Sequence, residues 1–395
     1  MYNKEEIRFI PSFIIEKHQS DEYSGTLSGS ILISDISGFT HLTESLFKLK
    51  KEGAEELSDI LKNIFTKMIY TVYENNGFIA NFAGDAFTAV FPSDNGYRAH
   101  VSAESIRERI PDKVYADGKD YSMGVKSGID SGQITWQILG NNPYSYLFSG
   151  QTVMNAAKGQ SDAATGEIAV NCQIDSVRNP YIPMHYPEQV SQKAVEKLFY
   201  NKDFTENIEY PEFRDVSSVF ISFRDIEDMD SFMNDIIESS VKFGGYFNLI
   251  DSGDKGNVIF TIFGAPVSNE DNIMRSINYA HYIRGRYSSK IRIGITYGSV
   301  FAGFIGSNIR GHYTVIGDKV NIAARFMSRA EWGEIWISEN MGRSVLNDFL
   351  IEYGGSLKLK GKQDAIPYYI LRERRKSGGA LFFENQFVGR EEEID

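Results

Sequence analysis

Apolar residues follow two different periods along this chain, and these periods predict its first elements. Residues 30–34 are apolar on both faces of a strand, as expected at the centre of a sheet. Over residues 41–75 the apolar positions recur at helical spacing, in two parts with a break near Gly53. The sequence therefore predicts a central strand that is followed by a broken helix.

Turn residues and a helix stop mark the next elements. Residues 78–91 predict a hairpin with Gly84 and Asp85 at its turn. A second helix is predicted over residues 96–110, where Pro111 ends it. This β-α-β-β-α-β order is typical of a ferredoxin-like α+β domain, with helices on one face of a largely antiparallel sheet.

The pattern of the first half returns in the second half. Four pairs of segments match in the same order: 31–39 with 218–226, 79–91 with 249–263, 121–134 with 290–303, and 147–161 with 313–327. A helix predicted over 268–286, with Ser268 or Asn269 as its cap, fits the slot of the second helix. We therefore expect two copies of one domain, which bury their otherwise bare sheet faces against each other.

The repeat also sets the predicted boundaries. The segments are an N-terminal helix or lid (1–28), a first domain (29–172), a connection (173–213), a second domain (214–372) and a tail (373–395). The connection is rich in Pro and Tyr, and we expect it to pack along the surface. The tail contains "VGRE", which resembles the opening of certain ATPase domains and predicts a C-terminal regulatory ATPase region in a longer chain.

Composition narrows the function classes. Among 395 residues, 41 basic and 53 acidic side chains give a net charge of −12 without a basic stripe, which argues against a nucleic-acid partner. Cys172 is the single cysteine, so neither a disulfide framework nor a cysteine-based zinc site is expected. No stretch approaches the roughly 18 apolar residues of a membrane span, and a cytoplasmic location is the default expectation.

The acid at the end of the first strand allows two interpretations. Asp35 is either a solvated turn residue or a metal ligand, and the turn alone does not decide between them. Asp85 lies at a neighbouring turn in the predicted fold, so the two carboxylates could converge on one or two Mg²⁺ ions. The residues after Asp35, "ISGFT", offer free backbone N–H groups at a helix start, which suit a phosphate.

Comparison of the two copies favours the metal interpretation. We align Asp35 with Phe223 of the second copy, which cannot bind a metal. Conversely, the second copy has Asn321 and Arg325 one helical turn apart, where the first copy has Met154 in the Asn position. Such complementary loss predicts one working site, built across the interface between the halves.

Three motifs then carry a family resemblance. "DISGFT" (35–40), "FAGDAF" (82–87) and "YTVIGDKVNIAAR" (313–325) resemble the class III nucleotidyl cyclases, most closely the tandem-domain soluble adenylyl cyclases. The resemblance implies two cyclase domains in an intramolecular pseudo-heterodimer, active as a monomer. It further implies conversion of ATP to 3′,5′-cyclic AMP and pyrophosphate, by in-line attack of the ribose 3′-oxygen on the α-phosphorus.

The resemblance also implies roles for residues of the first half. Two Mg²⁺ or Mn²⁺ ions would be held by Asp35, Asp85 and the Ile36 carbonyl. The β- and γ-phosphates would lie on Gly38, Phe39 and Thr40, and Lys126 would touch the triphosphate.

The second half would supply the nucleotide contacts. Asn321 would orient the ribose, and Arg325 would offset charge that develops at the α-phosphate. Lys255 would donate to adenine N1, whereas guanine N1 carries a hydrogen and needs an acceptor. Thr314 would accept from the adenine amine, assisted by the Val315 backbone.

The sequence departs from the family at a second, degenerate pocket. Bicarbonate-regulated soluble cyclases carry a lysine and an arginine there, at positions that read Asn81 and Ala157 in this chain. Lys158 is adjacent but would point to another side of its helix. The loss of both cations argues against bicarbonate activation.

Other classes remain as alternatives. The chain could be a catalytically weak nucleotide-binding regulatory module, although its polar set is complete, or a guanylyl cyclase, which Lys255 disfavours. It has no GG[DE]EF signature of a diguanylate cyclase, and it lacks P-loop and Rossmann glycine patterns.

Overall fold

Two large sheets, one in each half of the chain, organise the molecule. The computed structural model describes residues 8–174, 195–200, 211–358 and 364–375. The strands of each half pair mainly antiparallel, with helices packed against them. This confirms the predicted α+β fold with two ferredoxin-like domains.

The first half builds its sheet in the order β2-β3-β1-β6-β7, with β8 parallel to β6 and β4–β5 as a separate hairpin. Its strands are β1 (Ser24–Ser37), β2 (Phe78–Ala83), β3 (Ala86–Pro92), β4 (Lys113–Ala116), β5 (Lys119–Ser122), β6 (Gly124–Leu139), β7 (Ser145–Ser149) and β8 (Ile168–Val170). Its helices are α1 (Ser12–Gln19), α2 (Phe39–Leu46), α3 (Lys50–Glu74), α4 (Tyr97–Arg109) and α5 (Gln151–Asp162).

The second half repeats this arrangement in the order β10-β11-β9-β12-β14-β16-β15, with β13 beside β12. Its strands are β9 (Glu212–Phe223), β10 (Tyr246–Gly253), β11 (Gly256–Phe263), β12 (Ile291–Gly306), β13 (Gly311–Ile316), β14 (Ile335–Ser338), β15 (Phe349–Leu357) and β16 (Ile366–Arg374). Its helices are α6 (Met229–Lys242), α7 (Asn272–Tyr287), α8 (Asp318–Arg329) and α9 (Glu339–Val345).

Exchanged hairpins join the halves. The long strands β6 and β12 continue into β7 and β13, and each hairpin packs against a helix of the opposite half. Phe301, Ile305 and Ile316 enter the core beneath α3, and Leu139 and Leu147 enter the core beneath α6. The halves therefore bury apolar surface against each other at these hairpins, whereas the second face of the first sheet packs on Ile14, Ile15 and Phe199.

The break in the first long helix lies earlier than predicted. It falls at residues 47–49, and Lys50 has a φ of 54°. Gly53 lies inside α3, where a Cβ would be 1.9 Å from the Leu46 carbonyl oxygen. Gly53 therefore permits the close approach of α2 and α3. From the sequence alone, a glycine with this role looks the same as one that breaks a helix.

The predicted cap of α7 is wrong. The helix begins at Asn272, and neither Ser268 nor Asn269 caps it. Instead, the Asn272 side chain donates to Ser268 Oγ (3.2 Å) and accepts from the Asn269 N–H (3.3 Å). These hydrogen bonds hold the loop that leads into α7 and do not cap the first turn of the helix.

The segments outside the two sheets are partly buried. Helix α1 forms as predicted, but Ile14 and Ile15 pack into the core beside the first sheet, and β1 already begins at Ser24. Within the connection, Glu196 and Phe199 are buried while Lys197 and Leu198 are exposed, so residues 195–200 pack against the body with one side towards solvent. The rest of the connection (175–194, 201–210) and the tail beyond 375 lie outside the described residues.

Membrane-spanning helices were also sought. Within the described part of the chain, no helix is both long and apolar enough to cross a bilayer.

Candidate active site

The two acids that the sequence singled out lie at adjoining ends of neighbouring strands. Asp35 lies near the end of β1, opposite Ala86 of β3 and Lys126 of β6. The Ile36 N–H donates to the Asp85 carbonyl at 3.3 Å, which ties the strand end to the β2–β3 turn. This main-chain bond brings the two carboxylates to one edge of the sheet.

The electrostatics of this edge suit a cation. Burial raises the pKa of Asp85 to about 7, and the negative charge of Asp35 adds to the effect. Burial also raises the pKa of Asp35, against the opposing charges of Lys126, whose Nζ is 3.4 Å from Asp35 Oδ2, and of Lys255. Gln160 Nε2 donates to the same oxygen at 3.2 Å. A divalent cation between these half-buried carboxylates would offset the charge of Asp35 that raises the pKa of Asp85.

The number of protein ligands is small. Among the described residues, no group of three or more His, Cys, Asp or Glu side chains could hold a metal. Asp35 and Asp85 therefore fit an ion that keeps water and substrate phosphate in its shell, as Mg²⁺ does, better than one that needs an all-protein cage.

The turn after β1 has a backbone that only glycine permits. Gly38 has a φ of 92°, and a Cβ there would lie 2.1 Å from the Ser122 carbonyl oxygen. It precedes α2, whose first turn receives no side-chain cap, so the N–H groups there are available to an anion. Phe39 anchors the turn in the core, and Thr40 lines a small cleft beside it.

Residues of both halves line that small cleft. Thr40 and Asp85 come from the first half, and Val315 and Asn321 come from the second half. A larger adjoining cleft of about 250 Å³ is lined by Val315, Asn321 and Lys255, together with residues of the first half. The structure thus brings the metal-type acids and most of the predicted nucleotide contacts to one interface.

Six predicted residues do not line these clefts: Asp35, Ile36, Gly38 and Lys126 of the first half, and Thr314 and Arg325 of the second half. The Thr314 side chain is 1% exposed, and its hydroxyl donates to Asn248 Oδ1 at 3.3 Å. Because neighbouring strand residues point to opposite faces, Val315 faces the cleft and Thr314 does not. Arg325 is half-buried on α8, one turn beyond Asn321, and does not line either cleft.

Two glycines fix the equivalence of the halves. A Cβ on Gly128 would lie 2.0 Å from the Ala156 carbonyl oxygen of α5, and a Cβ on Gly294 would lie 2.2 Å from the Ala323 carbonyl oxygen of α8. Each glycine lets a short helix lie directly on its strand. The two glycines therefore occupy equivalent positions.

This equivalence corrects one alignment. Asp35 pairs with Lys126, two residues before the first of these glycines, and Ser222 pairs with Arg292, two residues before the second. The counterpart of Asp35 is therefore Ser222, and the predicted Phe223 is wrong by one residue. Phe223 belongs to the opposite face, in the core. The complementary loss still holds, because a serine is a poor substitute for a carboxylate ligand.

The hairpin turns provide a second comparison. Gly84 and Asp85 connect β2 to β3, and Asp254 and Lys255 connect β10 to β11. Lys255 thus stands at the turn, as Asp85 does, but the β10–β11 hairpin runs two residue pairs further, since Ser222 pairs with Val258 where Asp35 pairs with Ala86. The second half has neither acid at the equivalent positions.

Comparison with known proteins agrees with this geometry. The profile of the adenylate and guanylate cyclase catalytic domain matches residues 24–197 and 271–372. The chain belongs to this family. Its two sheets are the tandem domains of a class III nucleotidyl cyclase.

Relatives match both halves. Adenylate cyclase type 10 of Homo sapiens is 26% identical over 80% of this chain and 25% of its own length. The protein of the same name from Mus musculus is 26% identical over 93% of this chain and 28% of its own length. This chain therefore spans about a quarter of the length of these relatives.

A solved structure shares the fold across both halves. A class III adenylyl cyclase-like ATP-binding protein from Pseudomonas aeruginosa covers 81% of this chain and 85% of its own, with a TM-score of 0.55 and 13% identity. At that identity the likeness shows the fold alone.

Sequence reasoning missed two residues of this cyclase interface. One is Gln160, which bonds Asp35 from α5. The other is Asp251 of β10, which lines the larger cleft and accepts a hydrogen bond from Asn81. Burial raises the pKa of Asp251 to about 6. The repeat gives no signal for it, because the matching bulges of the two hairpins make Leu249, rather than Asp251, the counterpart of Asn81.

In the degenerate pocket, the two positions that carry cations in bicarbonate-regulated cyclases are occupied by the uncharged Asn81 and Ala157. Ala157 is buried against the larger cleft, and Lys158 is exposed on another side of α5. Asn81 donates to the Ile250 carbonyl oxygen at 3.3 Å, so its amide serves the interface.

Proposed function

We propose that this chain is an adenylyl cyclase that converts ATP to 3′,5′-cyclic AMP and pyrophosphate. The observation that carries the proposal is the sharing of one cleft by Asp85 of the first half and Asn321 of the second, with Asp35 tied to the turn of Asp85. Since the second half has Ser222 in the place of Asp35 and Lys255 at its hairpin turn, each chain would have one site. A single chain would then suffice, as an active monomer in the cytoplasm.

The chemistry would be divided among the residues of the first half as follows. Asp35, Asp85 and the Ile36 carbonyl would hold two Mg²⁺ or Mn²⁺ ions, which favour ionisation of the ribose 3′-hydroxyl and offset charge on the phosphates. The N–H groups of residues 38–40 would bind the β- and γ-phosphates. Lys126, now paired with Asp35, would be free to contact the triphosphate once cations neutralise that acid.

The reaction itself is a displacement at phosphorus. The 3′-hydroxyl would give its proton to solvent water, the bond from O3′ to the α-phosphorus would form, and the bond from the α-phosphorus to the oxygen that bridges to the β-phosphorus would break, so that pyrophosphate leaves. Asn321 would orient the ribose for in-line attack, and Arg325 would approach the α-phosphate from the next turn of α8.

Base recognition would rest on Lys255 and on the strand that carries Thr314 and Val315. Lys255 would donate to adenine N1. Because the Thr314 hydroxyl donates to Asn248 on the face away from the clefts, the Val315 main-chain carbonyl would accept from the adenine amine in its place. One observation favours GTP as a second candidate substrate, since Asp251 in the same cleft offers the acceptor that guanine N1–H requires.

The decisive assay supplies Mn²⁺ with ATP or GTP and quantifies both cyclic nucleotides by mass spectrometry. We expect cyclic AMP to dominate, and Asp85→Asn to reduce it at least a hundredfold. Asp225→Asn, in the exposed loop after β9 and outside both clefts, is the matched control and should retain activity. Absence of cyclic product from the wild type would refute the enzyme, and dominant cyclic GMP would establish the second candidate.

A bicarbonate titration of cyclic AMP formation at constant pH tests the degenerate pocket. We expect no activation, because Asn81 and Ala157 offer no fixed cation there. A severalfold activation would show that another group binds the anion.

A further inference from the structure

Arg310 is the largest fully buried side chain among the described residues, at 1% exposure. It lies in the β12–β13 turn, where the Ser307 N–H donates to the Arg310 carbonyl at 2.9 Å. A buried charge is costly unless its hydrogen bonds are satisfied. The burial of Arg310 is therefore stable only if the N–H groups of its guanidinium find acceptors inside the protein.

The guanidinium makes five hydrogen bonds, the number that an arginine can donate. The acceptors are the Ile79 carbonyl (from Nε, 3.4 Å), the Gly311 and Phe9 carbonyls (from Nη1, the first at 2.6 Å), and the Ala80 carbonyl and Tyr146 hydroxyl (from Nη2, 3.3 and 2.8 Å). Four of the five acceptors lie outside the half that carries Arg310. The side chain thus joins the two cyclase domains directly.

The same arginine faces a buried carboxylate of the connection. Glu196 is 2% exposed, and its Oε1 accepts from the N–H groups of Phe9 (3.0 Å) and Ile10 (3.3 Å). The Phe9 carbonyl therefore accepts a hydrogen bond from Arg310, and the Phe9 N–H donates one to Glu196. Opposite charges hold the N-terminal segment and the connection at this junction.

The junction lies on the strands that build the clefts. Ile79 and Ala80 belong to β2, whose turn carries Asp85. Gly311 begins β13, which carries Val315 into both clefts. Arg310 therefore bonds the strand that leads to the metal-type acids and the strand that leads to the nucleotide contacts.

We propose that Arg310 is a positioning residue of the cyclase reaction, which holds the two domains in the register where the cleft is complete. The inference rests on the proposed function for its kinetic part. A lysine would keep the charge but not the planar five-donor fork, so it could not satisfy these acceptors together.

The test compares Arg310→Lys with Arg284→Lys in the full chain. Arg284 also bonds main-chain carbonyls, those of Leu371 (2.6 Å) and Arg372 (2.9 Å), but only within the second half. We expect Arg310→Lys to lower kcat about tenfold or more, since small misplacements of reacting groups are costly. Binding of a fluorescent ATP analogue should weaken less than about threefold, because the phosphate cradle lies within one half. Arg284→Lys should change neither.

Amide hydrogen exchange separates this proposal from the proposed function. In Arg310→Lys, exchange in β2 and β13 should accelerate while the central strands β1 and β9 keep their protection. If Arg310→Lys loses its fold, Tyr146→Phe removes one acceptor and should lower kcat about two- to fivefold. The proposal would be overturned if either variant, assayed well below its melting temperature, had the same kcat as the wild type. If the wild type makes no cyclic nucleotide, unchanged exchange would overturn it instead, and accelerated exchange would support it.

Discussion

Replacement of Asp251 by asparagine should stabilise the protein at neutral pH. Burial raises the pKa of this carboxyl from 3.8 to about 6. The folded state thus binds a proton that the unfolded state has released, so stability is present at low pH and is lost as pH rises from about 4 to about 6. The difference of about two pKa units corresponds to about 3 kcal/mol, taken as an upper limit.

The geometry explains why asparagine should be tolerated. Asp251 accepts from the Asn81 side chain, and an asparagine carbonyl can accept the same bond. The substitution removes the buried charge and keeps the shape. We therefore expect Asp251→Asn to exceed the wild type by about 1–3 kcal/mol at pH 8 and to match it near pH 4.

Urea denaturation at pH 4, 6 and 8, followed by circular dichroism, measures this difference. Asp225→Asn serves as the control, since that side chain is exposed in the loop after β9 and does not contribute to the pKa of Asp251. The reasoning would be refuted if Asp251→Asn were no more stable than the wild type at pH 8. An equal gain at pH 4 and pH 8 would show that packing, rather than charge, is responsible.

Three further outcomes test the site. Gly38→Ala should lower the melting temperature and reduce activity at least tenfold, because its φ of 92° and the 2.1 Å approach to Ser122 leave no room for a Cβ. Asn321→Ala should reduce kcat about 10- to 100-fold, whereas its counterpart Met154→Ala should not, since only Asn321 lines the cleft. Mn²⁺ without nucleotide should raise the melting temperature of the wild type but not of Asp85→Asn, as differential scanning fluorimetry would show.

Local signals made much of the fold predictable. The Gly84–Asp85 turn and the helix stop at Pro111 are fixed by nearby residues, and the structure places both as predicted. The family resemblance is carried by short motifs of the same kind. Such features depend on backbone preferences that a neighbouring residue reveals.

The predictions were wrong for residues whose role depends on a neighbouring strand or helix. The faces of β9 are set by its pairing with β12, so the sequence alone could not separate Ser222 from Phe223 as the counterpart of Asp35. Gly53 reads as a helix break, yet it serves a contact with Leu46. Arg310 gives no signal at all, because a single arginine in a turn is usually solvated.

The two hairpin turns differ in charge. The β2–β3 turn carries Asp85 and the β10–β11 turn carries Lys255, so the first half has a carboxylate at its turn and the second half has an ammonium. Its charge already opposes the raised pKa of Asp35, which means that it acts across the interface on the first half's site. A cation beside Ser222 in the second half would meet that ammonium, whereas the equivalent place in the first half has Asp35 and Asp85. On the proposed function, Lys255 would therefore assist the first half's site and disfavour a metal in the second half. Divergence of the repeat would then leave one complete site, which a single chain can hold.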